Sequence, residues 1–95
     1  SAFNDLLDDN TTYFIEKTEK LTSYQLNFIH AIIEGIHSNF GMKEIREGYH
    51  LGSPSNIARI KAALQEREII DINDKGTFVS DPVMEKWMQL RFEWC

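Results

Sequence analysis

The chain has 95 residues, 42% of them hydrophobic and 26% charged, and fifteen acidic residues against ten basic ones give it a net charge of −5. A chain this short buries a single core, for which six Phe, three Tyr and two Trp supply bulk, so the composition argues against disorder. The acidic balance opposes long-range attraction to DNA or to an anionic membrane, so any nucleic-acid contact has to come from a local patch.

The single cysteine, Cys95, allows no intramolecular disulfide and points to a reducing compartment, which makes the glycosylation triplet Asn10-Thr11-Thr12 an accident. No apolar run approaches the roughly 20 residues that cross a bilayer, and the start lacks a signal-peptide pattern. A cytoplasmic location without a membrane partner is expected. Ser1-Ala2 in place of an initiator Met points to a fragment of a larger protein.

In chain order, Phe3, Leu6, Leu7, Phe14 and Ile15 recur at partly helical spacing up to Lys20, interrupted by Asn10 to Thr12, which predicts one helix with a possible break. Thr22 or Ser23 caps a second helix, on which Leu26, Ile29, Ile33 and Ile36 form an apolar stripe. Gly35 weakens its end, His37 to Gly41 is a connection, and a short helix is expected from about Met42 to Tyr49. After a turn at His50-Leu51-Gly52, Ser53-Pro54 combines a capping side chain with a residue that lacks the N–H left unpaired at a helix start, so a helix should run from Pro54 to about Arg67. Ile69, Ile70 and Ile72, the turn formers Asn73 to Gly76, and Thr77 to Val79 predict a β-hairpin. Asp81-Pro82 repeats the start signal for a last helix with Val83, Trp87, Leu90 and Trp94 on one face.

Helix, short helix, glycine turn, longer helix and hairpin form the order of a winged helix-turn-helix: a mainly α fold of about five helices with a two-stranded antiparallel wing. Residues 1–20 are read as a linker or N-terminal helix and residues 21–95 as the winged-helix domain. Leu51-Gly52-Ser53-Pro54-Ser55-Asn56-Ile57, Ala63-Leu64, Ile69-Ile70 and Asp81-Pro82-Val83-Met84-Glu85-Lys86-Trp87 resemble the C-terminal winged-helix segment of prokaryotic AAA-type ATPases of the archaeal-type and STAND-like group. The resemblance covers roughly Leu21 to Leu90, and its last stretch is the most specific part. It implies an ATPase module of the same parent chain as partner. The chain itself has no Gly-x-x-x-x-Gly-Lys-Ser/Thr loop to cradle phosphates, so no catalysis and no cofactor are expected of it.

On the Pro54 helix, 100° per residue places Ile57, Ile60 and Leu64 inward and Ser55, Arg59, Ala62 and Glu66 outward. Ser53, Ser55, Asn56 and Arg59, with Lys75 at the wing tip, are the candidate contacts to duplex DNA, although a plain solvated face explains them as well. Residues 41 to 70 carry five basic and four acidic residues, well short of a basic stripe. The last helix holds more apolar residues than one stripe needs. Either the first helix covers the excess, or Trp87, Phe92 and Trp94 offer a contact surface for an ATPase module or a second copy. A stand-alone regulator that binds DNA as a dimer is the alternative function. His30, His37 and His50 lack metal-ligand spacing, and no metal site is expected.

Overall fold

The computed structural model describes residues 12–94. Among these, helix α1 (residues 12–18) leads into α2 (Ser23–Ile33), α3 (Lys43–Gly48), α4 (Pro54–Glu66), the strands β1 (Ile70–Asn73) and β2 (Gly76–Val79), and α5 (Pro82–Arg91). The expected break near Asn10 and the apolar positions Phe3, Leu6 and Leu7 lie outside the described residues. No helix among the described residues is long and apolar enough to cross a membrane.

The helix starts follow the capping chemistry of the sequence. Thr22 and Gln25 form a reciprocal capping box at α2, the Thr22 hydroxyl accepting from the Gln25 N–H and the Gln25 side chain accepting from the Thr22 N–H. Ser53 accepts from the Asn56 N–H ahead of Pro54, and an Asp81 carboxylate oxygen accepts from the Val83 N–H ahead of Pro82.

The helix ends share a device that composition does not announce. Each of α2 to α5 stops at a residue with positive φ, namely Gly35, His50, Glu68 and Glu93, followed by Ile36, Leu51, Ile69 and Trp94. The N–H of each of those apolar residues reaches back to the carbonyl of Ala31, Arg46, Leu64 and Gln89 respectively, and the apolar side chain turns to the core. Only one of the four left-handed positions is glycine. At the others, burial of the next residue compensates the steric penalty of a Cβ at positive φ.

α2 is the central element, touching α4, α5 and β2. Its buried face is Phe28, Ile29, Ala31 and Ile32; Leu26 and Ile33 are half-buried, and Ile36 lies beyond the helix end at Gly35. The period of the expected stripe is right, but the face is turned toward Phe28 and Ile32. α4 buries Ile57, Ile60 and Leu64 as the spacing predicts. On α5 the buried set is Met84, Trp87 and Met88, whereas Leu90, expected inward, is 57% exposed. The ten residues of α5 are apolar on more than one side, so the packing partner rather than the pattern selects the face: Phe14 of α1 meets Trp87 with ring centroids 5.4 Å apart. The core thus takes in Phe14 and Thr18, N-terminal to the boundary expected at residue 21.

The wing pairs Ile70 with Val79, Asp71 with Phe78, Ile72 with Thr77 and Asn73 with Gly76, closed by Asp74 and Lys75. Its second strand has a neighbour on the far side. The Thr77 N–H donates to the His37 carbonyl at 2.8 Å, the His37 Nδ1 lies 3.0 Å from the Thr77 carbonyl, and the imidazole stacks on Phe78 at 4.3 Å. A carbonyl only accepts, so the His37 proton sits on Nδ1. The residue expected to be a plain connection therefore ties the open edge of β2 with one backbone and one side-chain hydrogen bond.

This close approach requires Gly76, which has φ +132° and where a Cβ would come within 2.5 Å of the His37 carbonyl oxygen. Gly76→Ala is expected to lower the stability by about 2 kcal/mol, measured as a drop in the urea midpoint. Gly48→Ala, with open space around the added atom, is the control and should be neutral or stabilising by up to about 1 kcal/mol.

Candidate functional site

α4 and the wing carry the residues singled out as candidate contacts, and the α3–α4 turn sets their pose. That turn is tied from both sides. The Asn56 amide donates to the Leu51 carbonyl at 2.8 Å, and the Arg46 guanidinium bridges the carbonyls of Gly41, at 2.9 Å, and Gly52, at 3.4 Å. Gly52 adopts φ +84°, with its α-carbon hydrogen facing Tyr24 and Asn56 where a Cβ would crowd them. Leu51 anchors the turn in the core.

These bonds sort the residues singled out in the sequence. Ser53 and Asn56 shape the turn: the Ser53 hydroxyl caps α4 and the Asn56 amide holds Leu51. Ser55 and Arg59 are exposed on the outer side of α4 with Ala58, Ala62 and Glu66, and Lys75 is exposed at the wing tip, where its N–H donates to the Asn73 side chain. Two cations counted in the balance of this region are engaged elsewhere. Arg46 is bound to the two carbonyls, and the Lys61 ammonium lies 5.3 Å from the centroid of the Phe40 ring. What the outer side of α4 and the wing display is Arg59, Arg67 and Lys75 beside Glu66, Glu68, Asp71 and Asp74, three cations and four carboxylates, all exposed. The turn-holding role of Arg46 was not read from the sequence; a long cation six residues before the turn glycine is the signal that hints at it.

The second candidate surface involves α5. Trp87 is 8% exposed, set against Phe14 with the Arg91 guanidinium 5.5 Å from its ring centroid, so the fold uses it as core and not as contact surface. Phe92 and Trp94 are half-buried and stacked 4.9 Å apart. Trp94 also lies flat on His30, 4.7 Å between centroids and 13° between planes. His30 Nε2 is 3.1 Å from Glu34 Oε1, and Tyr49 presents its edge to His30 at 5.6 Å while hydrogen-bonding Glu34. Phe92 lines a shallow groove with Ile15, Leu21, Leu26, Glu19 and Arg91. No group of three His, Cys, Asp or Glu side chains suited to a metal ion occurs among the described residues.

Two antiparallel wing strands following a helix, glycine turn and second helix define a winged helix-turn-helix domain. The chain belongs to the family described as "Probable winged helix domain", whose model matches residues 12–90. No curated protein and no solved structure matches the chain significantly.

Burial raises the Tyr49 hydroxyl above its usual value of 10.0, and the charge of Glu34 and its hydrogen bond act in the same direction. A raised value means that the fold favours the neutral phenol. Its contribution is fully present below pH 10 and is lost as the pH rises through the raised folded value. The urea midpoint should therefore fall more steeply above pH 10 for the unaltered chain than for Tyr49→Phe.

Proposed function

We propose that this domain is a non-catalytic winged-helix module of a larger prokaryotic ATPase, working through regulatory contacts with protein, above all with the ATPase module of its own parent chain. What supports the parent assignment is the resemblance carried by residues 51–57 and 81–87. The observation that carries the choice of protein over DNA is the charge of the presented surface. Most non-specific affinity for duplex DNA comes from cations that neutralise phosphates, and three cations interspersed with four carboxylates supply little of it. Contact with DNA, through Ser55, Arg59 and Lys75, is then weak and accessory.

Fluorescence anisotropy of a labelled random duplex across a salt series tests this. The expected result is binding no tighter than about 10⁻⁴ M at physiological salt, with a shallow salt slope that Arg59→Ala changes little. Tighter binding with a steep salt slope that Arg59→Ala flattens would replace the proposal with a DNA reader.

One observation favours a second reading, the stand-alone dimeric regulator: Leu90 is 57% exposed on the last helix, three residues after Trp87. Light scattering separates the two, since a dimer at micromolar concentration supports the regulator and a monomer removes it.

A further inference from the structure

We propose that His30 is a proton-operated latch: on gaining a proton its imidazole holds Trp94, and with it the end of α5, more firmly against α2. The latch has three parts, all in contact. The Trp94 indole lies parallel to the imidazole at 4.7 Å, Glu34 sits one helical turn along α2 with an oxygen 3.1 Å from Nε2, and Tyr49 closes the side from the end of α3. Glu34 thus lies within ion-pair distance of His30 and accepts from the Tyr49 hydroxyl. Beyond these, His50 follows Tyr49, and Arg91 and Glu93 flank the end of α5, all exposed; Lys43, Glu44, Arg46 and Glu47 lie on α3, and Glu85 and Lys86 nearer the start of α5.

The neutral and protonated rings differ in what they offer this arrangement. A neutral imidazole stacks on the indole as one flat ring on another. An imidazolium adds the attraction of a cation for the indole face and makes its 3.1 Å approach to Glu34 an ion pair. The first gain acts on Trp94 directly; the second fixes the ring in the orientation that Trp94 covers.

The opposing force is also visible. Docking of Trp94 requires Glu93 at φ +57°, a left-handed conformation that carries a steric penalty for a residue with a Cβ. The docked end of the helix is thus balanced between stacking and backbone strain, and a single charge shifts the balance. A cation–π contact at a partly exposed site changes such an equilibrium by about two- to fivefold.

The test follows amide hydrogen exchange of residues 92–94, corrected for intrinsic rates, together with tryptophan emission, from about pH 8 to about pH 5, the interval in which histidine gains its charge. Subtracting the emission of Trp94→Phe isolates Trp94 from Trp87. In the unaltered chain, protection should rise about two- to fivefold on acidification, and Trp94 emission should fall as the charged ring quenches it. His30→Gln keeps a polar group near Glu34 but takes up no proton, so both responses should vanish; His30→Asn repeats the measurement in case glutamine disturbs the helix. Protection that stays flat or falls with acid, or that rises equally in both His30 variants, overturns the latch.

Discussion

The His37 and Thr77 main chains meet through two hydrogen bonds, one between backbone groups and one from the imidazole, and the attachment of the wing depends on them. A two-stranded hairpin is marginal in water because neither strand has a second neighbour. Here the loop after α2 takes that place beside β2, while β1 packs on α4, so the wing is gripped from both edges. The stacking of His37 on Phe78 and the missing side chain at Gly76 let the two segments come close enough to bond. The wing is consequently held against the same central helix that α4 and α5 cover.

The order of elements was readable because the signals behind it are local. Thr22, Ser53-Pro54 and Asp81-Pro82 each satisfy or remove an unpaired N–H within three residues, a requirement that no later packing overrides. The faces of α4 were equally legible, since one clean stripe of Ile57, Ile60 and Leu64 leaves only one way to bury it. Where two faces competed, the sequence was silent. α5 shows Met84 and Met88 fully inward, Val83 half-buried and Leu90 exposed, a choice made by Phe14, about seventy residues away and ahead of the boundary drawn from pattern alone. His50, Glu68 and Glu93 carry no mark of a left-handed residue either, because their backbone angle is imposed by the apolar neighbour that follows. At the candidate interface the exposure of Ser55, Arg59 and Lys75 followed from periodicity, whereas the commitment of Ser53, Asn56 and Arg46 to the turn depends on where the Leu51, Gly41 and Gly52 carbonyls lie in space.

That commitment alters what composition implies about function. A count over residues 41 to 70 treats Arg46 and Lys61 as available to a partner, yet one spans a turn and the other lies against an aromatic ring. The winged-helix architecture is often associated with DNA, but architecture does not select the partner; the side chains displayed on it do. On this domain the display is mixed in sign and slightly acidic, so it offers little of the charge that neutralises a row of phosphates.

α3 has six residues and buries none of them. It stays in place because half-buried Ile45 rests on the core and the ends are fastened: Leu51 is sunk in the core, and Arg46 grips the backbone on either side of the helix. The outward side chains Lys43, Glu44 and Glu47 therefore bear almost no folding duty. Their identities can therefore drift at little thermodynamic cost, leaving the scaffold beneath untouched.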